Sequence, residues 1–215
     1  MLKITHPYPI RIAMKKITQS ILLSAIALST LPLMTHAKSV TQPAIAQQKQ
    51  VAGFYQHQMG NVQITALLDG TNFMSPDMFK DISKQQVQQI LKKYHAAQSK
   101  GIQTSINAFL VNTGSSLVLV DSGAASCFGA HLGSILKNLT AAGYQAEQVD
   151  TILLTHLHPD HVCGISNNGV ANFPNATVHV SQDEANYWLN PKPSQVKPAD
   201  YTQTVAMIKK AIAPY

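Results

Sequence analysis

Across 215 residues the chain carries 16 Lys and Arg against 10 Asp and Glu, a formal net charge of +6. That length suits one domain of ordinary size with a sizeable core. The basic surplus does not argue for nucleic acid or an anionic membrane: residues 1–37 hold four of the basic residues and no acid, and without them twelve basic residues face ten acidic ones, near +2.

Met14-Lys15-Lys16 opens a charged segment, and Ile17 to Met34 follows as an apolar run rich in Leu, Ile and Ala. Thr35-His36-Ala37 closes it with small residues where a signal peptidase reads them. Ser20, Ser24, Ser29, Thr30 and Pro32 make the run too short and too polar to span a bilayer well. Residues 1–37 are therefore read as an export signal, with Met14 as an alternative start. The expected location is periplasmic or secreted, without membrane contact after cleavage. Residues 38–52 are polar and Gln-rich and read as a flexible leader. The folded domain is expected over 53–215.

Val62 to Leu68 alternates and then turns apolar, a strand expected to close on the turn pair Asp69-Gly70. Asp69 is read as a turn residue rather than a support for a metal. Ser83-x-x-Gln86 is a capping box, and Val87, Ile90, Leu91 and Tyr94 follow at helical spacing, so this helix should cover a sheet face. Lys92-Lys93 reads as its solvated edge, and His95 as a surface contact near its end. Ile102 to Val111 and Leu117 to Val120 read as strands joined by the Asn112-Thr113-Gly114 turn, the second buried on both faces. Asp121-Ser122-Gly123 ends that strand in a turn. Leu132, Ile135, Leu136 and Leu139 share one face of the next helix, which Gly143 stops. Cys127 and Cys163 lie in loops after separate strands, and two Cys in a chain of this size read as free thiols sooner than as a disulfide.

The informative stretch is Thr155-His156-Leu157-His158-Pro159-Asp160-His161, behind the apolar run Thr151 to Leu154. His156 and His158 are two apart on a fraying strand end, so both imidazoles leave one face. Pro159 then turns the chain and sets Asp160 and His161 side by side. Imidazole suits Zn, Fe or Ni, and an adjacent carboxylate suits a borderline divalent ion. Four such side chains at this spacing define a metal site. Beyond it, Thr177 to Val180 reads as a strand, Ser181-x-x-Glu184 as a second capping box, and Ala199 to Ala213 as the last helix.

The pattern His156-x-His158-x-Asp160-His161 resembles the metallo-β-lactamase superfamily of binuclear hydrolases. Asn107 to Val111, Leu117 to Gly123 and Thr151 to His156 resemble the strands that precede the motif there. More narrowly, Gly53 to Tyr215 resembles the exported branch that contains methyl parathion hydrolase and lactonase-like enzymes. The resemblance implies an α/β (α+β) fold, with this chain the N-terminal part of an αββα sandwich. It implies two divalent metal ions, zinc first among them, with His156 and His158 on one and Asp160 and His161 on the other. Asp160 is thereby counted as catalytic as well. Asp121 would lie behind the ligands and hold a histidine, or else be a turn residue only. Phe128 and Trp188 would line the substrate pocket, although Trp188 fits a core position equally well. Cys163 stands where the family prefers Gly.

The implied activity is hydrolysis of a neutral ester, lactone or phosphotriester by a metal-activated hydroxide. Thioester or β-lactam hydrolysis is the alternative within enzymes, and a remnant that binds metal weakly is the alternative outside them. The family draws a third histidine, a bridging Asp and a final histidine from its later half. After His161 the one histidine is His179, which reads as an ordinary strand residue. The expectation is therefore a truncated or split chain, impaired on its own, with an open apolar sheet face that makes it aggregation-prone or dependent on a partner. A homodimer is one such arrangement.

Overall fold

Strand β1 (Phe54–Met59) turns at Gly60 and pairs antiparallel with β2 (Val62–Met74). In this computed structural model, which describes residues 51–96, 101–191, 197 and 199–215, β2 is the spine of a six-stranded sheet. The export segment and leader expected over 1–50 lie outside the described residues. Helix α1 (Lys84–Lys93) follows, with Ser83 and Gln86 closing the reciprocal cap that the sequence predicts. It does not lie on the sheet as expected: only Val87 is buried, while Ile90 and Tyr94 are 48% and 70% exposed.

Strands β3 (Ile102–Asn112) and β4 (Leu117–Val120) form the expected antiparallel hairpin. Helix α2 (Ile135–Ala141) leads to β5 (Thr151–Leu153), then the one-turn helix α3 (Pro159–Val162) and the short β6 (Ser166–Asn167) and β7 (Val170–Ala171). Strand β8 (Thr177–His179), α4 (Gln182–Trp188) and α5 (Tyr201–Ile212) complete the described chain. Sheet order is β1-β2-β3-β4-β5-β8, with β4, β5 and β8 parallel. Among the described residues no helix is long and apolar enough to cross a membrane.

One face of the sheet is closed. Leu67, Ala108, Leu119 and Ile152 are fully buried there, in one core cluster with Leu139 of α2 and Ile208 of α5. Each buried Leu or Ile there contributes about 1.5–3 kcal/mol on leaving water. The other face carries the register row Tyr55, Ala66, Phe109, Val120, Leu153 and His179, one residue from each strand. Tyr55, Phe109 and Leu153 there are 69%, 45% and 42% exposed. β4 is accordingly not buried on both faces: Leu117 and Leu119 are buried, and Val118 and Val120 only partly.

The predicted turn at Asp69-Gly70 is absent. β2 runs on to Met74, and only a bulge between Leu68 and Gly70 marks the place. The reason is Asp69 itself, fully buried, whose carboxylate accepts from the N–H groups of Ala124 and Gly133. An Asp-Gly pair makes a turn when the Asp bonds its own neighbours; here distant loop amides take that place.

Candidate metal centre

Parallel pairing of β4 with β5 brings the site together. Val120 is in register with Leu153, and Asp121 N–H donates to the Leu153 carbonyl at 2.9 Å. Both strands therefore open at one end, and a carboxylate meets a loop 34 residues further along the chain. Asp121 is held at φ 59°, in the left-handed region that Asp tolerates better than most residues. Its Oδ1 accepts from Thr155 N–H at 2.8 Å, and its Oδ2 faces His161 Nδ1 at 2.9 Å. Ser122 donates twice to the His161 carbonyl, from its N–H at 2.9 Å and its hydroxyl at 2.7 Å. A Cβ on Gly164 would stand 1.9 Å from the Ser122 carbonyl oxygen, so only glycine admits this approach.

β5 ends at Leu153, so His156 and His158 lie in coil, not on the strand end read from the sequence. They converge all the same: His156 Nε2 is 3.1 Å from His158 Nδ1. Pro159 opens α3 at its first position, which sets Asp160 and His161 on the first turn with Asp160 Oδ2 3.4 Å from His161 Nε2. Two ligands about 2.0–2.1 Å from one tetrahedral zinc stand about 3.3 Å apart. Both separations fit that spacing, so the donors present suit a metal as two pairs. Among the described residues no three His, Cys, Asp or Glu side chains are arranged around a single ion.

The protons are placed to match. Thr155 Oγ1 lies 2.9 Å from Asp121 Oδ2 and 3.0 Å from His156 Nδ1. Its hydroxyl proton goes to the carboxylate, so it accepts from His156 Nδ1–H and leaves Nε2 unprotonated, facing His158 Nδ1. Burial, and then the nearby His161 and His158 charges, hold the His156 pKa below its usual value. Burial alone would depress His161 too, but hydrogen bonds to Asp121 and Asp160 raise its pKa to about 9. For both carboxylates burial is likewise outweighed, first by the hydrogen bond to His161, and their pKa values fall.

A cavity of about 670 Å³ opens over His158 and Asp160. Phe128 and Trp188 both line it, with Phe73, Ile106 and Met207. Trp188 is at once wall and core: it is 5% exposed, stacks on Tyr201 at 5.4 Å and meets the His158 ring edge-on at 5.5 Å.

Cys127 and Cys163 do not stay free. They form a disulfide that ties the Phe128 loop to the end of α3. Two loops that could open on one side are legible from the sequence, but two Cys in a chain of this size weigh against pairing. His179 supplies its carbonyl to Leu154 N–H, an ordinary sheet contact. Three supporting residues escaped sequence reasoning: Thr155, Ser122 and Glu184, whose Oε2 accepts from Leu157 N–H at 2.9 Å. Thr155, next to His156, carried the one signal that a reader could have used.

Residues 101–212 match the model of the metallo-beta-lactamase superfamily, just over half of the chain, and the chain belongs to that superfamily. It is similar to the crystal structure of hydrolase AbOPH in beta lactamase superfamily, with 73% identity and a TM-score of 0.74, over 78% of this chain and 59% of that one. It is also similar to AidC, a dizinc quorum-quenching lactonase in complex with a product N-hexnoyl-L-homoserine. There the identity is 27% and the TM-score 0.67, over 75% of this chain and 58% of that one. A beta-lactamase-like protein 2 homolog of Drosophila melanogaster is 41% identical over 61 residues, 27% of this chain and 19% of that protein. The chain thus spans under two thirds of the length of these relatives.

Proposed function

We propose that this protein is an exported metal-dependent hydrolase of small neutral esters, lactones or phosphotriesters. His156 and His158 hold one divalent ion, Asp160 and His161 a second, and zinc is the first candidate. The observation that carries this is the pair of ligand-like separations, 3.1 and 3.4 Å, beside a largely apolar cavity. When bound, divalent ions lower the pKa of water and stabilise charge developing on a carbonyl or phosphoryl oxygen. The chain's own residues do the rest. Thr155 and Asp121 keep the ring protons of His156 and His161 turned away from the ligand face. Phe128, Trp188 and Ile106 exclude water and seat an apolar group. No Lys or Arg stands among the described residues lining the cavity, which favours a neutral substrate over an anionic one. The similarity to a hydrolase and to a dizinc lactonase supports the same chemistry.

These four residues give each ion two protein ligands, whereas catalytic zinc typically has about three plus water. The expected outcome is therefore metal-dependent turnover below the ordinary enzyme value of about 10 per second. The test loads residues 38–215 with Zn or Mn and offers aryl esters, lactones and phosphotriesters. Hydrolysis that survives chelation and His158→Ala would overturn the proposal, as would no turnover at all with metal bound.

Export is part of the same proposal. The Cys127–Cys163 disulfide supports an oxidising compartment. N-terminal sequencing of the exported fraction should begin at or near Lys38, and finding Met1 or Met14 would contradict it. A homodimer, part of the same reading, would register in light scattering as twice the chain mass.

A further inference from the structure

Ser181 and Glu184 have the spacing of a capping box, but only half of it forms. Ser181 Oγ accepts from Glu184 N–H at 3.3 Å, while the Glu184 side chain turns away from the cap and accepts from Leu157 N–H at 2.9 Å. Leu157 is the residue between His156 and His158, and its own side chain is 1% exposed in the core. Its backbone is thus gripped from both sides, by the core and by a carboxylate on α4. The same helix ends in Trp188, whose ring meets that of His158 at 5.5 Å. One short helix therefore touches the histidine pair twice, once through the main chain and once through a ring, and it lines the cavity with Trp188.

We infer that Glu184 is a positioning residue, fixing the peptide between His156 and His158 so that their ring nitrogens stay convergent. A main-chain N–H held by a carboxylate is among the stronger hydrogen bonds a loop can make. With Leu157 N–H released, the φ and ψ torsions on either side of that peptide loosen, and each imidazole swings with them. Glu184 acts through the loop and touches neither ion nor substrate. The inference rests on the proposal that this pair holds a metal, but the Leu157 contact can be measured without one.

The test compares Glu184→Met, Glu184→Gln and Ser181→Ala in the full chain. In the metal-free protein, hydrogen exchange at the Leu157 amide should quicken in Glu184→Met and stay slow in Glu184→Gln, whose carbonyl still accepts. Titrated with Co²⁺, Glu184→Met should bind ~10-fold or more weakly, the usual scale for lost outer-shell partners. Its visible absorption should shift, and Glu184→Gln should recover most of both effects. Ser181→Ala removes only the helix cap, so it should lower thermal stability and leave the Co²⁺ spectrum in place. An unchanged Leu157 amide in Glu184→Met would overturn the inference. So would equal spectral shifts in Glu184→Met and Ser181→Ala, which would mark a merely structural role. If the unmutated chain takes up no Co²⁺, the metal proposal falls, and the amide exchange still decides the contact.

Discussion

Asp121 Oδ2 stands 2.9 Å from His161 Nδ1, and through Thr155 the same carboxylate also reaches the ring of His156. One side chain thus sets a nitrogen in each of the two ligand pairs. Asp121→Ala should therefore weaken uptake of both ions, by ~10–100-fold in affinity. Competition against a chelator measures this directly. Loss at one ion only would contradict the shared role.

The second prediction concerns pH. With a pKa of about 9, His161 is protonated on both ring nitrogens at neutral pH in the metal-free chain, with Nδ1 facing Asp121 and Nε2 facing Asp160. A ligand nitrogen must release its proton, so binding should expel about one proton below pH 9 and tighten as pH rises. The sign is opposite for stability. The folded pKa lies above the ordinary His value, so the pairing stabilises the metal-free fold fully below about 6.5. That contribution is lost as pH rises through about 9. Calorimetry in two buffers of different ionisation enthalpy reads the proton release, and heats that do not depend on the buffer would contradict it.

The disulfide closes a loop across a sequence separation of 36 residues. Chain entropy for such a loop amounts to about 4 kcal/mol. Cys127→Ser with Cys163→Ser should therefore unfold at markedly lower urea, and the freed Phe128 loop should raise KM more than it lowers kcat. A urea midpoint equal to that of the oxidised parent would refute this.

Gly164→Ala forces a methyl group toward the Ser122 carbonyl, whose residue holds His161 in place through two hydrogen bonds. Overpacking of this kind costs about 1–3 kcal/mol. Thermal unfolding should show that loss, and metal uptake should fall with it because His161 moves. Full metal affinity in a destabilised variant would separate the two effects and contradict the link.

The convergence of His156 with His158 and of Asp160 with His161 was legible in the sequence because these side chains are neighbours in the chain, and it needs only a short turn through Pro159. The β3–β4 hairpin and the Ser83 cap were legible for the same local reason. What escaped depends on pairing between distant strands. The Asp69-Gly70 pair has the local chemistry of a turn, yet loop amides at Ala124 and Gly133 claim its carboxylate. Ser181 and Glu184 have the spacing of a cap, yet Leu157 offers a better donor. The two cysteines sit in loops that could open on one side, and the parallel pairing of β4 with β5 brings those loops together.

The most direct measurement is metal content after dialysis for the parent chain, His158→Ala and His179→Ala. His158 Nδ1 faces His156 Nε2 at 3.1 Å, whereas His179 contributes its carbonyl to the sheet. His158→Ala should lose bound zinc, and His179→Ala should retain it at the parent level. Equal losses in the two variants, or full zinc content in His158→Ala, would mean that the ion is held elsewhere.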